Sequence, residues 1–237
     1  MVLQIIAKLT RGETILPADS TKDKRIDIDS ESDMVDAENI ENNASTQHLE
    51  APVNVIYQTA EDGLGDTIKP RLLAAGADCT KVMVIDDSEQ PLTMADVRLE
   101  EAIVQTKARM VVLDPIQGFL GSEVDMHRAN EIRPLMKRIA VLAEKYHCAI
   151  ILIGHMNKNS NGKSSYRGLG SIDIMAAVRS LLFIGKVKKD PTTRVLIHEK
   201  SSLAPPGETM AFKLGDEEGF RWVGAYEISA DELLDGC

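Results

Sequence analysis

Four residues stand just past apolar runs of the chain and suit phosphate chemistry. They are Glu61 in "TAEDG", Asp114 and Gln117 in "VVLDPIQG", and His155 in "IILIGH". In an open α/β sheet, ligands gather outside the carboxyl ends of the strands. If each apolar run is a parallel strand, the four converge at one sheet edge. A carboxylate such as Asp114 there suits magnesium, directly or through water. Glu61 supplies a second carboxylate that could orient or deprotonate an attacking water. His155 could contact a terminal phosphate and report its loss. Asp114 and Gln117 are the candidates for cofactor contact. Each residue also has an ordinary reading, since a strand-end Asp is often a turn or cap residue and a His in G-H-M is often structural. The ordered set says more than any member alone.

Two cations follow. Arg179 in "DIMAAVRS" ends a helix-like stretch, where the helix dipole favours positive charge. Its functional reading is an arginine finger, which neutralises charge on a transferring phosphoryl group. Lys200 in "HEKSS", at a strand end, could serve similarly or pair with the neighbours of Glu199. Between His155 and Arg179, "NKNSNGKSSYRGLGS" carries Lys158, Lys163, Tyr166 and Arg167 among Asn, Ser and Gly. Basic loops with an aromatic suit nucleic-acid backbones and unstacked bases; solubility alone would also explain them.

Several elements must position these residues. "MVLQIIAKLTRGE" has an apolar stripe at Val2, Ile5, Ile6 and Leu9, which predicts a helix closed by Gly12. Strands are expected over 53–59, 81–86, around 110–114 and from 149. Helices are expected over "DTIKPRLLAAGAD", broken or begun around Pro70 and stopped by Gly76, over "TMADVRLEEAIVQTKA" with Thr93 as N-cap, and over "RANEIRPLMKRIAVLAEKYH". The last shows Ile132, Leu135, Met136, Ile139, Leu142 and Ala143 on one face. This alternation indicates a parallel sheet covered on both faces. After residue 180, "SLLFIGKV", "TRVLIHEKS", "ETMAFKLG" and "GFRWVG" read as short antiparallel strands, and "SADELL" closes with a capping box from Ser229 to Glu232.

A chain of 237 residues with 43% hydrophobic content suits one α/β domain over 1–237, with an antiparallel extension at 181–224. Apolar runs such as "AIILI" are too short to span a membrane, and no export signal is evident. Cys79, Cys148 and Cys237 are sparse and scattered, with no C-x-x-C, which suggests reduced thiols and a cytoplasmic setting. Cys148, at the start of an apolar run, reads as simply buried. Residues 17–50 hold ten acids and three bases, a balance of −7 within the chain's −10, which leaves −3 for the rest. That segment has too few large apolar groups to offset its ordering entropy and reads as a disordered insertion. Its alternating Asp27, Asp29, Glu31 and Asp33 lack the sixth-position glycine of an EF-hand. Global acidity does not exclude nucleic acid as a partner, because a local basic loop suffices.

A strand-end Asp on magnesium calls for a phosphate cradle, G-x-x-x-x-G-K-[ST]. The nearest imitation, Gly154 to Gly162-Lys163-Ser164, places seven residues between its glycines instead of four. "SYRGLG" is a poor helix opening after it, and a cradle needs a helix N-terminus aimed at the phosphates. In such proteins an amphipathic helix directly follows the cradle, as "MVLQIIAKLTRGE" would. The expectation is that the cradle and the first core strand lay upstream, which would leave a gap mid-sheet.

Together, "YQTAEDGLGDTIKPRLLAAGAD", "VVLDPIQGFLG", "DMHRANEIRPLMKRIA", "AIILIGHMNK", "YRGLGSIDIMAAVRS" and "HEKSSLAP" resemble the RecA-like AAA-family ATPases close to RepA-type hexameric replicative helicases. The resemblance covers residues 1–16 and about 51–234. It implies a RecA-like core that uses ATP and Mg2+, binds DNA, single-stranded above all, and assembles into a ring. By the same resemblance Glu61 is the catalytic glutamate, Asp114 the Walker B aspartate, and His155 the sensor. Arg179 is the finger acting on a neighbouring subunit's nucleotide, and Lys200 the basic residue beside it. The loop from Lys163 to Gly170 faces the central channel. Two departures stand out: the cradle is absent, and Ser202 occupies a position where the family suggests Asn. The leading expectation is an ATPase domain of a replication or mobile-element helicase, inactive as this chain. The alternative is a non-enzymatic homologue that binds DNA or partners an intact ATPase.

Overall fold

A computed structural model describes residues 1–15, 51–155, 172–188, 190–215 and 219–235. The acidic segment 17–50 and the loop bearing Lys158, Lys163, Tyr166 and Arg167 lie outside the described residues. Elements are numbered in chain order. Helix α1 is Val2–Arg11. Its expected stop is present: Gly12 has φ 72°, and its N–H and that of Glu13 donate back to Leu9 and Lys8. A positive φ here is a conformation that glycine adopts without the Cβ penalty.

Strands β1 (Val55–Thr59), β2 (Val82–Met83), β3 (Met110–Asp114) and β4 (Ala149–Leu152) form a parallel sheet in the order β2-β1-β3-β4. The register aligns Thr59 with Asp114 and Leu113 with Leu152. β1 and β3 are near-continuous apolar runs because both faces are covered. Ile56, Val111 and Leu113 pack against α3 (Val97–Thr106) and α4 (Ala129–Lys145). Val55, Tyr57, Met110 and Val112 pack with α1 and α2 (Lys69–Ala74) on the opposite face. On α4 the expected face is the buried one, through Ile132, Met136, Ile139 and Leu142. Cys148 is 3% exposed, and burial pushes its thiol up to about 11, so it stays protonated and inert at neutral pH.

Two expectations are corrected. The strand expected over 81–86 is only Val82–Met83, because a side chain replaces its ladder further on. Gln58, fully buried, donates from Nε2 to the Ile85 carbonyl and accepts the Ile85 N–H on Oε1, each at 3.0 Å; Nε2 also reaches Asp87. A glutamine side chain mimics a peptide group, and the backbone can turn away while staying paired. The expected N-cap Thr93 is not the cap. Asp96 is, accepting the Arg98 N–H at 2.9 Å, so α3 starts at Val97. The helix over "DTIKPRLLAAGAD" is interrupted where Pro70 predicts: a π-helical turn, Leu64–Ile68, precedes α2, with Pro70 early in α2, where a missing N–H costs no helical bond.

Helix α5 (Ile172–Ala177) leads into an antiparallel sheet of β5 (Ser180–Val187), β6 (Asp190–Ser201), β7 (Met210–Gly215) and β8 (Gly219–Ala225), in sequence order. One face packs Phe183, Val195, Ile197 and Ala211 against α6 (Ala230–Asp235). The capping box forms: Ser229 and Glu232 exchange side chain–backbone bonds at 3.2 and 2.9 Å. The other face carries Phe212, Phe220 and Trp222 in mutual contact, and the Trp222 indole donates to the Ile15 carbonyl. Among the described residues no ladder joins β4 to β5. A cavity of ≈ 340 Å³ lies between the two sheets, lined by Val2, Tyr57, Asp114, Ile153, Ile184 and Phe212 among others. No described helix is long and apolar enough to cross a membrane.

Gln58→Leu leaves the buried Ile85 N–H and C=O without partners. Orphaned buried groups cost roughly 1–3 kcal/mol each, so we expect a loss of about 2–3 kcal/mol in urea unfolding. A loss below about 0.5 kcal/mol would show that water replaces the side chain.

Candidate functional site

The sheet's carboxyl edge is tied together by backbone bonds before any side chain acts. The Ala60 N–H donates to the Asp114 carbonyl at 2.9 Å, fixing the turn that carries Glu61 beside Asp114. The Ile116 N–H donates to the Ile153 carbonyl at 2.7 Å, fixing the chain after Asp114 beside the chain before His155. The Thr59 hydroxyl accepts the Glu61 and Asp62 N–H groups at 3.3 and 3.1 Å, a Ser/Thr turn that bends the chain outward at the strand end. Gly118, in the 3-10 turn Ile116–Phe119, packs so closely on Ala60 that any Cβ there would overlap the Ala60 side chain. The glycine is therefore required for the approach of the two turns.

On this frame Glu61 and His155 meet. His155 Nε2 lies 3.5 Å from Glu61 Oε2, with both side chains about two-thirds exposed. So exposed a pair adds little stability, but both groups remain open to a ligand. Asp114 is half-buried and lines the inter-sheet cavity. A second cavity of ≈ 460 Å³ lies along α3 and α4, lined by Glu100, Lys137 and Arg138. None of the strand-end residues lines it; of the four, Asp114 alone lines the inter-sheet cavity. Gln117 follows Asp114 in the turn. Its Oε1 is buried with no donor among the described residues.

One residue was missed by sequence reasoning. The Tyr57 hydroxyl donates to Asp114 Oδ2 at 2.6 Å. The register explains it: Tyr57 on β1 and Asp114 on β3 point to the same sheet face, with Thr59 opposite Asp114. Tyr57 is 2% exposed, and its phenol is pushed well above its ordinary value by burial first, then by the hydrogen bond and charge of Asp114. The signal in the sequence was a polar tip inside an apolar strand run, which "VIYQT" shows at two positions.

The two later cations have partners other than this cluster, and the helix-end position expected of Arg179 is taken by Lys200. Helix α5 ends at Ala177, so Arg179 lies beyond it. Its side chain is 64% exposed, with Nη2 3.9 Å from Glu144 Oε2. The cation at the helix end is Lys200. Its ammonium donates to the Met175, Ala176 and Val178 carbonyls at 3.0, 2.7 and 2.8 Å. Ser202, the departure from the expected Asn, donates its backbone N–H to the Arg179 carbonyl at 2.9 Å, a bond that does not depend on the side chain.

A parallel sheet covered on both faces, with an Asp at a central strand end and an antiparallel extension, defines a RecA-like α/β domain. A family profile described as the AAA domain matches residues 40–161, just over half of the chain, and the chain belongs to that family. Among curated proteins none matches the sequence. Solved structures share the fold. One, described as an ATPase domain, is 13% identical, with 73% of this chain and 75% of that one covered, at a TM-score of 0.55. A DnaB-like replicative helicase, solved for its interactions with primase, is also 13% identical; 69% of this chain and 50% of that one are covered, at a TM-score of 0.54.

The Tyr57 bond has a pH signature. A phenol whose pKa rises on folding contributes stability that is complete below its ordinary value of 10.0 and is lost as the pH climbs above it. We expect urea unfolding to show stability falling as the pH rises above about 10, with a visibly shallower fall in Tyr57→Phe. Equal slopes in the two proteins would remove Tyr57 as the buried phenol.

Proposed function

We propose that this chain is the RecA-like ATPase domain, spanning 1–237, of a replicative-helicase-type protein. The observation that carries the reading is the backbone frame that sets Glu61, Asp114 and His155 at one sheet edge in an AAA-family domain. Magnesium-bound ATP supplies the phosphoryl group and the charge that such an edge handles. Magnesium takes one or two carboxylates and keeps waters and phosphate oxygens as its other ligands, so a single strand-end Asp is a sufficient contribution from the protein. The Gln117 Oε1, three residues after Asp114 and without a donor among the described residues, would be an acceptor for a ligand at this edge.

In this reading Asp114, steadied by Tyr57, is the residue that would hold a magnesium ion, which would supply charge stabilisation at the phosphates. Glu61 orients the attacking water and accepts its proton, at a carboxylate oxygen open to solvent. His155, in reach of Glu61, links the state of that carboxylate to the chain after β4. Arg179, exposed and clear of the cluster, is offered to a neighbouring subunit's nucleotide, which makes the working form an oligomer. Lys158, Lys163, Tyr166 and Arg167 are proposed as contacts to single-stranded DNA on residue type alone.

The phosphates themselves do not fit this sequence. No G-x-x-x-x-G-K-[ST] occurs in the 237 residues, so the backbone donors and lysine that cradle β- and γ-phosphates are not among them. The same observation favours a second reading, a partner subunit that lends Arg179 to an intact ATPase and hydrolyses nothing itself.

We expect the chain alone to hydrolyse Mg-ATP at the background rate. Turnover of about 1 s⁻¹ or more, ordinary for an enzyme, would overturn this. The DNA assignment is tested separately with a fluorescent single-stranded oligonucleotide. Replacing both Lys163 and Arg167 by Ala should weaken binding roughly tenfold at low salt and flatten the salt dependence by about one contact per lost charge. An unchanged affinity and slope would reject those residues as the DNA contact.

A further inference from the structure

We propose that Lys200 is a positioning residue, whose ammonium caps the end of α5 and so fixes the backbone that presents Arg179. The significance of Arg179 rests on the reading above; the cap itself does not.

The last carbonyls of a helix have no intrahelical donors. In α5 the Val178 N–H closes the final turn on the Ile174 carbonyl at 3.2 Å, and β5 begins two residues later at Ser180. Lys200 satisfies three carbonyls here at once, those of Met175, Ala176 and Val178. An ammonium has three N–H donors and no acceptor, so its donor set is complete and none is left for a phosphate oxygen. Its charge lies at the negative end of the helix dipole, where a cation is favoured. Next after Val178, the last residue capped, comes Arg179, whose carbonyl accepts the Ser202 N–H. Lys200 and Ser202, at and just past the end of β6, thus hold the chain from Met175 to Arg179, one through a side chain and one through the backbone.

The strand register aims the lysine. β5 and β6 pair Ser180 with Ser201 and Leu181 with Lys200, but Leu182 with His198, so Glu199 is an extra residue on β6. A bulge of this kind re-aims the side chains next to it. Here it lies directly beside the lysine whose head reaches across to α5. With its backbone held on both sides, the Arg179 side chain emerges from a fixed root, although its own head group is exposed and only loosely attracted to Glu144. A guanidinium presented from a mobile root would lose orientational freedom on meeting a partner, at an entropic cost that a fixed root avoids.

The test is hydrogen–deuterium exchange with limited trypsin digestion, neither of which needs nucleotide. In Lys200→Met we expect amides 178–181 to exchange at least tenfold faster and trypsin to cleave after Arg179 at least tenfold faster. Exchange in α4 and the thermal midpoint should change little. Lys200→Arg, whose guanidinium still offers several donors to carbonyls, should restore most of the protection, which a lysine acting only by bulk would not predict. If Lys200→Met does not fold, Lys200→Gln, with two amide donors on a shorter stem, should fold and show the same local acceleration. Unchanged exchange at 178–181 in a folded Met or Gln variant overturns the proposal. So does acceleration spread evenly over the whole domain. If the local acceleration appears but Arg179→Ala leaves the turnover of an assembled ATPase intact, the cap stands and the functional reading of Arg179 falls.

Discussion

The register of three parallel strands is the constraint on which the candidate site depends. β1, β3 and β4 are aligned so that Thr59 faces Asp114 and Leu113 faces Leu152. The turns beyond them are then locked by Ala60 donating to Asp114 and Ile116 donating to Ile153. A slip of one residue would send each side chain to the other face of the sheet. Asp114 would leave the face it shares with Tyr57, and Gln58 would turn away from Ile85. Burial on both faces prevents the slip, because the strands' apolar residues are committed to α1 and α2 on one side and to α3 and α4 on the other.

Polar residues inside that apolar frame do two kinds of work. Gln58 ends the β2 ladder early by acting as a peptide group for Ile85, and so turns the 84–87 segment out of the sheet. Tyr57 holds one oxygen of Asp114 and leaves the carboxylate half-exposed at the cavity. Both are costly to bury alone and stable when bonded. Their adjacency in "VIYQT" places one on each face of the sheet, since successive strand residues alternate. The two cations near α5 divide in the same way: one is consumed by carbonyls, the other is left exposed.

Much of this was legible in the sequence. The alternation of apolar runs with helical stripes pointed to the parallel sheet, and the turn-punctuated runs after residue 180 pointed to the antiparallel one. Glycine and acid signals placed the end of α1 at Gly12 and the capping box at Ser229. Asp114, Glu61 and His155 could be picked out because strand ends are marked by an abrupt change from apolar to polar residues. These are local signals, carried by period, by φ preference and by side chain–backbone bonds within a few residues.

What the sequence determined by itself is therefore the kind of elements, their order, and the residue types at their ends. The tertiary structure decided which of those ends meet, and it revised roles that local pattern had assigned. Arg179 looked like the helix-end cation by sequence distance, yet Lys200, well beyond it in the chain, takes that position through a strand pairing with a bulge. Tyr57 and Asp114 are 57 positions apart and bond only because two parallel strands align them. Such contacts depend on register and on which side chain has donors to spare, and those are properties of the packed chain that no window along the sequence contains.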